Sequence, residues 1–286
     1  MRCTRSQFPL AGKVMALLLA FCILFTFVSC QKKEEESSST PPVTQTPPTT
    51  TETPVSSEDD GKLDVVPPDA GTLEKLENMK ASNSDTVAWL SIPDTTIDDA
   101  VLQAADNDYY LRKDETKQYN FFGCYYADYE NTFGERNLFS RNTVIYGHNM
   151  DDNKVHGKKF GQLLKYLNED FAENHPYIYL TTEDDQLTFK IFAVYYSDIH
   201  FSYISTDPED LTFMDILNEA RERSEYNYDV DVNATDKIIT LSTCTYKYGM
   251  REDQRFVVQA RLLRNDEDAP ATVSIEKNPN PKAPQF

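Results

Sequence analysis

Positive charge is short in this sequence relative to negative. Against 47 Asp and Glu stand 28 Lys and Arg, a formal net charge of −19. No basic field exists to meet phosphates, which excludes a nucleic-acid partner. Glycine is scarce, nine in 286 residues, and no glycine-rich phosphate loop or internal repeat occurs. Cysteine is limited to Cys3, Cys22, Cys30, Cys124 and Cys244. Three of these fall in or before the N-terminal apolar segment. The two that remain make neither a disulfide framework nor a four-cysteine zinc site. The acidity also disfavours any thiolate, so a reactive cysteine would need a positive neighbour.

What is present begins with an address. Arg2, Arg5 and Lys13 precede the run VMALLLAFCILFTFVS, residues 14–29. A basic stretch before an apolar core is an export signal. The run ends in Phe27-Val28-Ser29-Cys30, which is similar to a bacterial lipobox. Lys32 and Lys33 follow, as they would flank an uncleaved anchor. Residues 1–33 are therefore expected to tether the chain to a membrane, through a signal-anchor helix or a lipidated Cys30. Residues 34–71 are rich in Ser, Thr, Pro and acid and almost lack large apolar side chains. Such a segment cannot offset its ordering entropy and is expected to be a disordered stalk. Residues 266–286 have a similar composition and are expected to be a flexible tail.

The folded domain is expected over 72–265. It opens with a short amphipathic helix, LEKLENMKAS, in which Leu73, Leu76 and Met79 recur at helical spacing. Eight strand-like runs follow: VAWLSI, TTIDDAVLQ, FFGCYYADY, NTVIYG, YIYLTT, QLTFKIFAVYYSDI, KIITLSTC and RFVVQARLL. Turn residues separate them at short intervals, the pattern of a barrel or sandwich rather than a βαβ sheet. Two helices interrupt them. KKFGQLLKYLNEDFAENHP carries Phe160, Leu163, Leu164, Leu167 and Phe171 on one face. PEDLTFMDILNEARERS carries Phe213, Ile216, Leu217 and Ala220 on another. The fold class is mainly β with helices.

The last two strands hold the chemistry. In KIITLSTC, Ile239 and Leu241 share one face; Ile238, Thr240, Ser242 and Cys244 share the other, which is small and polar. In RFVVQARLL, Phe256, Val258, Ala260 and Leu262 oppose Arg255, Val257, Gln259 and Arg261. The loop 245–254 allows antiparallel pairing, which sets Cys244 beside Arg255, both off the core face. A thiol of ordinary pKa is only about 3% thiolate at pH 7. A nucleophile therefore needs a base or a cation. Four histidines could serve. His148 follows a strand and a glycine in NTVIYGHNM. His156 lies in a polar loop, His175 at a helix end beside Pro176, and His200 near a strand end. Cys124, in an aromatic run, reads as a core thiol, though a Cys124–Cys244 bridge is compatible with the sequence.

At these residues a resemblance enters. Thr240-Leu241-Ser242-Thr243-Cys244 resembles the TLxTC signature of sortases, the cysteine transpeptidases of Gram-positive cell surfaces. Tyr146-Gly147-His148-Asn149-Met150 resembles that family's histidine segment. Arg255, before FVVQARL, stands where the family has its arginine. WLSI, TTIDDAVLQ and NDYYL resemble the family's N-terminal part, and a helix over 209–224 resembles the class B subgroup. The resemblance implies a closed eight-stranded β-barrel, with an N-terminal helix and a long helix between late strands. It implies Cys244 as nucleophile, His148 as general acid/base and Arg255 as oxyanion or substrate stabiliser. Arg251 competes with Arg255 for that role. Ser242, Thr243 and Tyr246 flank the nucleophile and are expected to line a substrate groove. No metal or cofactor is implied. The implied partners are a sorting-signal peptide, NPxTx-like or LPxTG-like, and an amine acceptor from peptidoglycan or a pilin. The implied location is the outer face of the cell membrane.

Two rival classes make different demands. An L,D-transpeptidase would carry an SxGC cluster, which is absent, and a papain-like peptidase would place cysteine before histidine. A non-catalytic, tethered surface-binding lipoprotein would keep all function in a Cys244→Ala variant.

Overall fold

Eight strands close on themselves because each of the eight apolar runs finds two neighbours. The computed structural model describes residues 62–286 apart from 151–153, 155 and 266. Helix α1 (Ala70–Ser82) leads into strands β1 (Thr86–Ser91), β2 (Asp98–Leu102), β3 (Tyr125–Ala127) and β4 (Asn142–Tyr146). A 3-10 helix (Phe160–Leu167) and α2 (Glu169–Asn174) precede β5 (Tyr177–Thr181) and β6 (Gln186–Asp198). Helix α3 (Asp210–Arg223), a short β7 (Tyr226–Tyr228), β8 (Ile238–Cys244), β9 (Gln254–Leu262) and β10 (Ile275–Lys277) complete the order. The barrel runs β1-β2-β3-β4-β8-β9-β6-β5 and closes from β5 to β1; β7 and β10 form a separate pair. The β2–β3 and β4–β8 contacts are parallel and the other contacts antiparallel. Closure removes the unpaired edges that a sheet of this size would otherwise expose. Leu90, Val101, Ile145, Leu180, Leu241 and Val258 meet in one buried core.

Local chemistry sets the helices. Asp69 caps α1, its side chain accepting from the Thr72 amide at 3.0 Å. Within α1 only Leu76 is fully buried, against Trp89 and Tyr126. The run 158–176, expected as one helix, is two pieces. Asn168 ends the 3-10 turn and caps α2, accepting from the Phe171 amide at 2.9 Å. An asparagine that bonds the following backbone favours a cap over a helix interior. Helix α3 buries Phe213, Ile216, Leu217 and Ala220, the face its spacing marks, and packs on β6.

Two boundaries and one strand face differ from expectation. Residues 62–69, assigned to the stalk, lie on the barrel as extended chain. The Val66 amide donates to Asp185, the Val66 carbonyl accepts from Gln186 at 2.7 Å, and Leu63 exchanges two bonds with Asn137. Residues 267–286, assigned to a loose tail, are also laid down. There β10 pairs with β7, Tyr177 donates to the Pro270 carbonyl, and Asn278 donates to the Ser224 carbonyl. Lys282 pairs with Glu219 and Glu222. Composition misleads in both places because a few apolar anchors, Leu63, Val273 and Ile275, and hydrogen bonds to distant parts of the chain hold these segments. Finally, the polar face of β8 and β9 is not a solvent face. Thr240 and Gln259 are fully buried. Gln259 donates to Thr240, Thr240 donates to Asn142, and Asn142 donates to the carbonyls of Tyr203 and Ser205. These polar residues hydrogen-bond one another beneath the segment around Tyr203, although Gln259 Oε1 is left without a partner.

The export segment 14–29 and the stalk up to residue 61 lie outside the described residues. Among the described residues, no helix is long and apolar enough to cross a membrane.

One ion pair makes an acid-stability prediction. Arg261 is buried and donates to both Glu267 oxygens, at 2.6 and 2.8 Å. Burial opposes ionisation of Glu267, but the Arg261 bonds, the Arg264 amide and the Arg261 charge outweigh it and bring the carboxyl from 4.5 down to about 2. A carboxyl depressed in this way contributes stability above its unfolded pKa and loses it as pH falls through the folded one. Urea denaturation at stepped pH is expected to show an acid limb between 4.5 and about 2 that is flatter in Glu267→Gln.

Candidate active site

The parallel pairing of β4 with β8 decides where the histidine segment ends. Its register runs from Asn142 opposite Ile238 to Tyr146 opposite Ser242. His148 stands two residues beyond Tyr146, and Cys244 two beyond Ser242. The strands stay tied past their last ladder bond. The Gly147 amide donates to the Ser242 carbonyl at 3.3 Å, Thr243 Oγ1 donates to the Gly147 carbonyl at 2.7 Å, and Asn149 Nδ2 donates to the Cys244 carbonyl at 3.0 Å. On the other side, the antiparallel register sets Cys244 directly opposite Arg255. His148, two residues past the end of β4, thus falls in a row with Cys244 at the end of β8 and Arg255 near the start of β9, and neighbouring strands lie about 4.8 Å apart.

His148 is buried, 7% exposed. Its Nε2 lies 2.6 Å from the Leu111 carbonyl. A carbonyl only accepts, so Nε2 carries the proton and Nδ1 is the basic nitrogen. Burial pulls the imidazole below its ordinary pKa, the Leu111 bond works the other way, and the Arg112 charge adds to the lowering. Burial thus favours the neutral ring. Two close approaches near it need glycine, one against the ring and one beside it in the chain. Gly123 has φ +57°, and a Cβ there would stand 3.0 Å from His148 Cδ2 and from the Leu111 oxygen. A Cβ on Gly147 would come within 2.9 Å of both Phe160 and Tyr125. Only glycine fits these approaches.

Arg255 is half-buried, with Ser197 of β6 on its other flank. Its Nη1 donates to the carbonyls of Glu252 at 2.7 Å and Gln254 at 2.9 Å, which fixes the start of its guanidinium plane. Burial raises the phenol pKa values of Tyr126 and Tyr203, and the Arg255 charge opposes that rise at both. Arg251 is turned elsewhere. It makes a bidentate pair with Asp253, at 2.6 and 2.7 Å, and lies 3.9 Å from the Phe286 ring.

The remaining expectations divide. Tyr246 is half-buried in the loop after Cys244. Ser242 and Thr243 differ from the groove-lining role expected of them: both are buried, with Ser242 Oγ bonded to Tyr203 OH at 2.9 Å and Thr243 bonded to Gly147. Strand alternation sends the two side chains to opposite faces, and each hydroxyl is taken by a protein partner there, so they brace the strand end instead of facing a ligand. His175 stacks on Phe171 at 4.0 Å and has both ring nitrogens engaged, by the Phe171 carbonyl and Asp94. His156 and His200 are exposed. Cys124 is a free thiol, fully buried, which removes the Cys124–Cys244 bridge. Burial first, and then Glu115, push its pKa far above the ordinary range, leaving it an inert core residue. Among the described residues, no group of His, Cys, Asp and Glu could hold a metal ion. Sequence reasoning missed two contributors. Asn149 stands inside the quoted histidine segment and signals itself only as a polar neighbour. The Leu111 carbonyl is backbone and leaves no letter in the sequence.

The closed eight-stranded barrel is that of a known family. Residues 90–263 match the sortase domain model. The sortase B of Listeria monocytogenes is 39% identical over 191 residues, which cover 66% of this chain and 74% of that protein. The structure of a Staphylococcus aureus sortase B–substrate complex superposes with a TM-score of 0.59 at 29% identity, covering 67% of this chain and 85% of that one. A sortase B complexed with triglycine superposes with a TM-score of 0.59 at 30% identity, covering 66% and 86%. The chain belongs to the sortase family, on its class B branch, and is thus a transpeptidase.

Proposed function

We propose that this chain cleaves a sorting signal after its threonine, holds the new C-terminus as a thioester on Cys244, and passes it to an amine. The observation that supports this reading is the register that brings His148, just past β4, into line with Cys244 and Arg255 on the two strands beside it. Nε2 of His148 is committed to the Leu111 carbonyl, so Nδ1 exchanges protons with the thiol. A desolvated, neutral imidazole does not hold an ion pair at rest; the thiol proton moves to Nδ1 as the sulfur attacks the carbonyl carbon. The tetrahedral oxyanion then forms beside Arg255, the positive neighbour that an acidic protein must supply locally. Collapse expels the amine, which takes its proton from His148. An incoming amine gives a proton back to Nδ1 and attacks the thioester, and water in its place yields hydrolysis.

Two of the similar sortase B structures carry a substrate and triglycine, respectively. By analogy the donor here is a peptide of NPxTx or LPxTG type and the acceptor a wall peptide or a pilin amine. Export by residues 14–29 would set the enzyme on the outer face of the membrane. The test is incubation of the full chain with fluorogenic peptides of both types, with and without triglycine. Cleavage after threonine and an acyl-amine product are expected. Failure to cleave any peptide, together with a Cys244 that resists iodoacetamide, would sink the reading. Arg255→Lys keeps a charge but loses the planar fork, and is expected to lower kcat/KM about 10²-fold. A kinetic comparison on the best peptide measures it.

A further inference from the structure

Lys159 is a lysine where the backbone suits a glycine. Its φ is 52° and its ψ −133°, a conformation L side chains rarely adopt. Its side chain is largely buried, yet it keeps its charge in company. Nζ lies 3.1 Å from Asp99 and 3.0 Å from Glu115, and 4.9 Å from the Tyr125 ring centre. Its backbone faces Asn149 in an isolated antiparallel bridge, and the next amide, Phe160, donates to the His148 carbonyl at 2.8 Å. Glu115 belongs to the segment between β2 and β3. That same segment supplies the Leu111 carbonyl that takes the Nε2 proton of His148, and Gly123, which passes against the ring. Its Glu115 carbonyl is also held from α1's end by Asn83, at 2.8 Å.

Lys159 therefore grips His148 from two directions. The neighbouring amide holds the histidine backbone, and its ammonium holds the loop that holds the ring. We propose that Lys159, acting through Glu115 and Asp99, is a positioning residue that keeps His148 Nε2 on the Leu111 carbonyl and so leaves Nδ1 to the thiol. This rests on the reading of His148 as the proton carrier. The strained backbone is explained at the same time: the geometry that brings the ammonium between Asp99 and Glu115 also brings the Phe160 amide to His148.

Three variants of the full chain test it. Lys159→Met keeps the stem and removes the charge, Lys159→Gly removes the charge and releases the strained φ, and Lys159→Arg keeps a charge. Two readouts are taken: the His148 Nε2–H resonance in nitrogen-15 NMR, and kcat with KM on a cleaved peptide. Met and Gly are expected to lose the slowly exchanging Nε2–H signal and about 10²-fold in kcat, with KM little changed. Arg is expected to retain most of both. If Met and Gly keep the signal and the rate, the proposal is overturned. It is also overturned if the rate loss is smaller in Gly in step with a recovered melting temperature, since Lys159 would then be merely structural. The NMR arm decides the positioning even where no peptide turns over, and a fully active His148→Ala would fault the functional reading separately.

Discussion

Cys244→Ala is expected to bring peptide cleavage and acyl transfer to background, a fall on the order of 10⁴-fold or more. The nucleophile is the one group whose atom becomes bonded to substrate, and no neighbour in the row can replace it. Arg255 has no basic lone pair. His148 is buried behind Leu111 and Gly123, with its protonated nitrogen already committed. The other thiol of the domain, Cys124, is fully buried and its pKa is driven up by burial. Cys244→Ser is expected to be nearly as inactive as the alanine variant. An alcohol is far harder to deprotonate than a thiol, and an imidazole whose pKa is already pulled down by burial is a weak base for it. Stopped-flow cleavage of a fluorogenic sorting peptide, with mass spectrometry for the trapped thioester, measures both. Wild-type turnover in Cys244→Ala would move the nucleophile elsewhere and favour a binding role for the row.

Part of this was legible from letters alone. Each of the eight apolar runs became a barrel strand, because β-branched and aromatic residues fit a buried pleated surface. Cys244 opposite Arg255 followed from strand phase and a short loop, which fix register locally. His148 was different. Its place beside Cys244 depends on the parallel pairing of β4 with β8, across a crossover of roughly ninety residues. No local pattern encodes that, and only the motif resemblance singled the residue out. The polar face of β8 and β9 was read as off-core since Thr240, Ser242 and Gln259 are polar, yet they are buried and bonded to one another or to Tyr203. Mutual satisfaction of buried polar groups is a tertiary property. So is the seating of 62–69 and 267–286, which hydrogen bonds to distant parts of the chain and a few buried apolar residues hold in place. The Leu111 carbonyl could not have been found, since every residue has one.

Asp185→Ala is expected to cost about 3–5 kcal/mol of folding stability, the largest loss predicted for a single residue outside the row. Asp185 is completely buried, and Arg136 is 6% exposed. The carboxylate accepts from Arg136 Nε at 2.9 Å and Nη2 at 2.7 Å, from the Arg136 amide at 2.8 Å, and from the Val66 amide at 3.1 Å. One side chain thus joins the β5–β6 turn, the loop before β4 and the chain that enters the barrel. Removing it strands the Arg136 guanidinium and amide away from water, and unpaired buried groups carry their full desolvation penalty. Against a typical total of about 5–15 kcal/mol, that loss decides whether the domain stays folded at growth temperature. The double variant Asp185→Leu with Arg136→Met removes both charges, and is expected to recover much of the loss. Urea denaturation of the three proteins measures the difference. None of these contacts touches His148, Cys244 or Arg255, so Asp185→Ala protein that remains folded in the cold is expected to turn over at the wild-type rate. A slow but stable Asp185→Ala variant would instead show that this end of the barrel reaches the row.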